Sequence, residues 1–110
     1  MVNLDDSNLL EQFQSYQQQY QAIIIQKEQL KMQELEINNA LEEIGKSKEE
    51  NVYKISGPIM IKKNREEIKK ELEEKKETIE LRLKSLSSAE NKIVNKLKEM
   101  EGDIRKIIGN

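Results

Sequence analysis

Apolar residues recur along this chain at alternating intervals of four and three, in two long runs separated by a short stretch with a different period. The first run is Leu9, Phe13, Tyr16, Tyr20, Ile23, Lys27, Leu30, Glu34, Ile37, Leu41 and Ile44, in which only Lys27 and Glu34 are charged. The second is Leu72, Lys76, Ile79, Leu83, Leu86, Glu90, Ile93, Leu97, Met100, Ile104 and Ile107, in which only Lys76 and Glu90 are charged. An alternation of four and three is the repeat of a coiled-coil seam, so the pattern predicts two long helices that each bury one narrow stripe. The expected bounds are about 8–45 and 64–108, within one domain covering 1–110. Asn8 followed by Glu11 has the form of a capping pair, with Asp5, Asp6 and Ser7 as competing caps, and Asn64 with Glu67 repeats that form. Ser87 with Glu90 has it too, but the seam passes straight through them. Gly45 is the expected stop of the first helix. Gly102 costs roughly 1 kcal/mol relative to Ala inside a helix, which predicts fraying of the last two turns.

Between the helices, residues 52–63 read VYKISGPIMIKK and are the one β-like stretch. Gly57-Pro58, containing the sole Pro, marks a turn. With Gly57-Pro58 as a two-residue loop, Ile55 faces Met60, Lys54 faces Ile61 and Tyr53 faces Lys62. Tyr53, Ile55 and Met60 then share one face, and Val52, Ile59 and Ile61 the other. A turn centred on Ser56-Gly57 would slip this pairing, and the sequence leaves both open. Either way the hairpin is apolar on both faces. A lone two-stranded hairpin is marginal in water and has unpaired edges, so it needs strands from other chains.

Seams of equal length on either side of a hairpin predict an antiparallel pair, each arm roughly 50 Å long at about 1.5 Å per residue. If Ile44 faces Leu72 in the first layer, then Ile23 meets Ile93, Tyr16 meets Met100 and Leu9 meets Ile107. Lys27 falls opposite Glu90, so two of the four seam charges neutralise each other. Glu34 and Lys76 face Leu83 and Leu41 and reach past them to solvent. Outside the seam, Glu66–Lys70, Glu71–Lys75 and Glu80–Lys84 have the spacing of weak surface ion pairs.

Composition narrows the function. Charged residues make up 36% and hydrophobic ones 35%, with no Trp, Cys or His, which suits a seam rather than a compact core. Absent Cys fits a cytosolic protein. The net charge of −2 and the lack of a basic block argue against nucleic acid as partner. The longest uninterrupted apolar run is 22–25, far short of a membrane span. Without His or Cys there is nothing to activate a nucleophile, and the four glycines are scattered rather than gathered in a phosphate loop. Carboxylates such as Glu73, Glu74 and Glu77 read as a solvated helix face, not a metal site, and Gln17, Gln18 and Gln19 likewise. The expectation is no enzyme, no cofactor and no metal.

Activity then has to come from surface. The antiparallel pair brings both chain ends to one tip, and that tip is apolar. Val2, Leu4, Leu9, Leu10 and Phe13 come from one end, and Met100, Ile104, Ile107 and Ile108 from the other. Of these, Leu9, Phe13, Ile104 and Ile107 belong to the seam, whereas Val2, Leu4, Leu10 and Ile108 lie outside it. Such a tip suits a grip on apolar segments of varied proteins.

The chain resembles a β-class prefoldin subunit. The resemblance rests on Tyr16-Gln17-Gln18-Gln19, Ala40-Leu41-Glu42-Glu43, Val52-Tyr53-Lys54 with Gly57, Ile59 to Lys62, and the runs 71–75 and 80–83. It covers nearly the whole chain, and the central hairpin motif is its specific part. One hairpin points to the β class, since α-class subunits carry two. The resemblance implies a mainly α fold, a long antiparallel two-helix coiled coil with a single β-hairpin inserted between the helices, the hairpin completing an intersubunit β-barrel. Val52, Tyr53, Ile55, Gly57, Ile59, Met60 and Ile61 would make the subunit contacts. It also implies a cytosolic, ATP-independent holding chaperone, a hexamer of two α and four β subunits. Its arm tips hold unfolded proteins and pass them to a group II chaperonin. The brief C-terminus ending at Asn110 departs from relatives with longer tails. Two other readings compete: a structural coiled-coil adaptor whose hairpin merely oligomerises it, and an antiparallel arm that binds nucleic acid, which the acidic balance disfavours.

Overall fold

The computed structural model describes residues 4–109, with side chains from Asp6 onward. Helix α1 spans Leu4–Lys46, strands β1 and β2 span Asn51–Ser56 and Ile59–Asn64, and helix α2 spans Arg65–Ile108. The chain divides into two units. The hairpin unit comprises residues 30–83, and the terminal unit comprises 1–29 with 84–110.

In the hairpin unit the strands pair antiparallel with Ser56 opposite Ile59, Ile55 opposite Met60, Tyr53 opposite Lys62 and Asn51 opposite Asn64. This is the Gly57-Pro58 loop; the pairing centred on Ser56-Gly57 is not the one adopted. Gly57 has φ of +59°. Pro58 is held at negative φ by its ring. A positive first position followed by a negative second is what a II′ hairpin loop requires, and it matches the twist of the strands. The Arg65 amide donates to the Glu50 carbonyl at 2.8 Å and closes the hairpin at its base.

Asn64 ends β2 and caps α2. Its Oδ1 accepts from the amides of Glu66 at 2.9 Å and Glu67 at 3.4 Å. The acidic residues Glu66 and Glu67 in the first turn, and Arg105 and Lys106 in the last, complement the helix dipole.

Several local expectations change. Helix α1 starts at Leu4, so Asn8 lies inside it and does not cap it. Asp6 instead sits in the first turn, where a carboxylate is favourable. Gly45 does not stop the helix, which runs to Lys46. The Ser47 amide donates to the carbonyls of Glu43 at 3.1 Å and Ile44 at 3.2 Å, so no left-handed residue is needed there. Helix α2 passes through Gly102 to Ile108, and the Gly109 amide donates to Arg105 O at 2.6 Å. A Cβ on Gly109 would lie 2.7 Å from that oxygen, so this last turn closes tightly only on glycine.

Burial follows the seam. Every seam position of α1 is buried or half-buried, and so is every seam position of α2 except Ile107. Within the terminal unit, Lys27 Nζ donates to Glu90 Oε2 at 2.5 Å, joining the two helices across the seam. This is the cross-seam pair that the sequence register predicts. Ile68, outside the strict repeat, is buried and shares a cavity lining with Ile44 as well as Leu72. Ile68 thus adds apolar packing on the hairpin side of Leu72. In the terminal unit Met100 is the most enclosed side chain at 3% exposure, whereas Ile107, expected against Leu9, is 40% exposed.

Candidate functional site: the hairpin and the terminal unit

The hairpin is held to its own unit on one face only. Alternation along β1 and β2 puts Val52, Lys54 and Lys63 on the face turned to the helices, and all three are half-buried. Glu71 on α2 ties both strands down. Its Oε1 accepts from Lys54 Nζ at 2.9 Å, and its Oε2 lies 3.5 Å from Lys63 Nζ. The hydrogen bond from Lys54, then the charges of Lys54, Lys63 and Lys75, hold the Glu71 carboxyl below its usual range against a small opposing effect of burial. Glu71 is thus engaged by the hairpin rather than by Lys75, as the i,i+4 spacing suggested. Neither Glu66–Lys70 nor Glu80–Lys84 forms an ion pair; Glu42–Lys46 and Glu101–Arg105 do. Beneath Val52, residues Ala40, Ile44, Ile68 and Leu72 line an apolar cavity of about 320 Å³.

The other face of the hairpin is bare. Tyr53, Ile55 and Met60 are 63%, 74% and 65% exposed. Nearer the turn Ile59 and Ile61 are exposed as well, so the outer half of the hairpin stands clear of the helices on both faces. Among the described residues the sheet has two strands and two unpaired edges. Of the residues expected to join subunits, Tyr53, Ile55, Ile59, Met60 and Ile61 are free to do so. Val52 is partly used internally, and Gly57 serves the turn.

In the terminal unit the expected apolar patch splits. Leu10, Ile107 and Ile108 are exposed, Ile108 the most at 75%. Leu9, Phe13 and Ile104 are half-buried seam residues, and Met100 is core and has no free surface to offer. Val2 and the side chain of Leu4 lie outside the described residues. The sequence reading missed Ile68 and the Glu71 clamp. The signal for Ile68 was an apolar residue one turn ahead of Leu72. That for the clamp was the strand register, which sets Lys54 and Lys63 on one face.

Among the described residues no acidic cluster is arranged to hold a metal ion, and no helix is long and apolar enough to cross a membrane. The fold is two long helices joined by one β-hairpin whose outer apolar face is uncovered. Residues 7–110 match the family model described as prefoldin subunit. Relatives named prefoldin subunit beta include one from Archaeoglobus fulgidus, 39% identical over 92% of this chain and 88% of its own length. Another, from Pyrococcus furiosus, is 42% identical over 88% of this chain and 84% of its own. The crystal structure of the prefoldin beta subunit from Thermococcus strain KS-1 superposes with a TM-score of 0.85 at 34% identity, over 97% of this chain and 95% of that one. The chain belongs to the prefoldin family. That membership gives it the holding-chaperone role and implies assembly with other prefoldin subunits; the family is one of chaperones, not of enzymes.

Proposed function

We propose that this chain is the β-type subunit of a cytoplasmic hexamer of two α and four β subunits, in which its hairpin supplies strands to a shared β-barrel. Tyr53, Ile55 and Met60 on the outer face, with Ile59 and Ile61 nearer the turn, pack against neighbouring subunits. The terminal unit holds unfolded proteins through Leu10, Ile107 and Ile108, with Val2 and Leu4 adding to the same patch. Holding needs no ATP, and clients pass to a group II chaperonin. The observation that carries the assembly reading is the exposure of a row of large apolar side chains on a two-stranded sheet with both edges free. Such a surface is a liability in water unless another chain covers it.

The test is native mass spectrometry of the chain alone and mixed with an α-type prefoldin subunit, followed by light scattering of a chemically unfolded protein diluted into the mixture. A hexamer that suppresses aggregation without ATP is expected. A hexamer without suppression would leave a structural adaptor, and no hexamer would overturn the assembly reading.

A further inference from the structure

The apolar cavity of the hairpin unit opens on one particular side. Ala40 and Ile44 of α1, with Ile68 and Leu72 of α2, make its apolar wall, and its volume is about 320 Å³. The strand residues that border it are Val52, Tyr53 and Lys54, all from β1; among the described residues none comes from β2. Alternation turns the Tyr53 side chain to the opposite, bare face of the hairpin. Tyr53 therefore borders the cavity along the edge of its strand, and the edge of β1 that β2 does not cover is the free one. The cavity is thus continuous with the uncovered hairpin surface through which the chain joins other subunits.

The backbone at that edge is set to accept a strand. A two-residue loop is closed by a hydrogen-bonded pair, here Ser56 and Ile59, and the bonding alternates from there. Lys54 and Val52 bond inward to β2, which leaves the amides and carbonyls of Ile55 and Tyr53 pointing out at the free edge. A strand bonded to them places its residue opposite Val52 or Lys54 on the helix side of the sheet, because cross-strand partners share a face. That side chain lies over the cavity.

The lining limits what this side chain is. Lys54 is bound to Glu71 at 2.9 Å, and Glu71 also engages Lys63 at 3.5 Å. Glu43 and Lys75 complete the lining with one charge of each sign, so it has no net charge to attract an ion. A charge entering among Ala40, Ile44, Ile68 and Leu72 would lose its water without a partner, whereas an apolar group gains from the same burial. An apolar cavity of roughly 150 Å³ already takes a benzene-sized group, so the space suits a large side chain such as Leu, Met or Phe.

Resting on the assembly proposed above, we infer that this cavity is a socket for one large apolar side chain, carried by the strand that a neighbouring prefoldin subunit adds to the free edge of β1. Backbone bonding along an edge accepts almost any sequence, whereas a pocket beside it discriminates between side chains. The socket therefore selects which strand is seated on β1 and in what register.

The chain has no Cys, so a single introduced thiol reports on the socket without interference. The test uses the full chain, alone and assembled with its α-type partner. Ala40→Cys puts a thiol in the half-buried cavity wall, and Asn39→Cys puts one on the exposed outer surface of α1. On assembly the thiol at position 40 should react with a maleimide about tenfold more slowly, because reaction then waits on local opening, and the thiol at 39 should be unaffected. Equal reactivity at position 40 before and after assembly, in a complex of unaltered native mass, would leave the assembly standing and overturn the socket. A photo-crosslinking amino acid at position 40 should join a neighbouring subunit at an apolar residue of a strand, and a crosslink to a charged residue or to a helix would overturn the proposal. Ala40→Phe fills the cavity from within and should weaken assembly by roughly ten- to a hundredfold, the worth of one large buried apolar side chain. Circular dichroism of the lone variant separates a filled socket from a damaged fold, and in the second case the thiol and crosslinking results decide. Undiminished assembly of a well-folded Ala40→Phe chain would overturn the socket. Failure of the unsubstituted chain to assemble would instead overturn the assembly reading, and the socket with it.

Discussion

Lys27 and Glu90 meet across the seam of the terminal unit, Nζ to Oε2 at 2.5 Å, with side chains only 15% and 21% exposed. Each charge occupies a position where an apolar residue would pack, so the pair lowers stability relative to a fully apolar layer while opposing pairings that separate the two charges. Lys27→Glu places two carboxylates together in a half-buried layer. A loss of about 2 kcal/mol is expected, between the values for exposed and for buried pairs. Adding Glu90→Lys should recover much of it. A double-mutant cycle by chemical denaturation reads the coupling directly, and additive losses would mean that the bond contributes nothing to the choice of pairing.

The Glu71 clamp gives the hairpin a defined pH response. The folded carboxyl titrates below its unfolded value, mainly because Lys54 hydrogen-bonds to it and then because of the nearby lysine charges. Its stabilising contribution is therefore complete above the ordinary carboxylate range and is lost as pH falls through the lowered folded value. Amide exchange of β1 and β2 should accelerate on that acid limb. Glu71→Gln should loosen the hairpin at neutral pH and flatten the acid response, and an unchanged acid limb in the variant would assign the response to other carboxylates.

Asn64 serves two elements at once, closing β2 and capping α2 through the amides of Glu66 and Glu67. Asn64→Ala should cost about 1 kcal/mol, whereas Asn64→Asp should be nearly neutral because its carboxylate also accepts those amides. Thermal melts followed by circular dichroism distinguish the two. Equal losses from both would show that the strand position, not the cap, sets the requirement.

Gly57 holds φ of +59° with open space around its missing Cβ, so a side chain there is strained by the backbone and not by a clash. Gly57→Val should destabilise by roughly 1–2 kcal/mol, and Gly57→Asn by less, since Asn visits this region more readily. Chemical shifts of Ile55 and Met60 report whether the register survives. A Val variant with unchanged register and stability would show that the loop has another low-energy form.

Much of the fold was legible in the sequence because a seam repeat is a long signal. A single local error does not disturb it, and Lys27 and Glu90 announced their partnership through opposite charge. Legibility failed at the ends and at the joints. Asn8 and Gly45 have the right chemistry to bound α1, yet the helix continues past both, because an acidic residue suits its first turn and Ser47 closes its last. Ile68 escaped because it lies one turn ahead of Leu72, the first member of its stripe, and outside the strict repeat. For the functional surfaces, the sequence marked Ile55 and Ile108 correctly as apolar residues outside the seam. It could not reveal that Met100, equally apolar and equally near the chain end, is enclosed.

The hairpin faces make different demands, and paired substitutions separate them. Ile55 is 74% exposed on the bare face, and Ile61 is 41% exposed on the face shared with Lys54. In the lone chain Ile55→Asp disturbs no packing and should leave helix content and melting unchanged. In the assembled complex it would set an unpaired carboxylate inside an interface, at a cost of several kcal/mol, and should prevent the hexamer from forming at micromolar concentration. Ile61→Asp faces partly inward toward the Lys54 and Lys63 side, where a new carboxylate finds cations, so its effect on assembly should be milder. Native mass of each variant mixed with an α-type subunit decides the matter. A hexamer that tolerates Ile55→Asp but not Ile61→Asp would reverse the assignment, making the face toward the helices the one that neighbouring subunits cover.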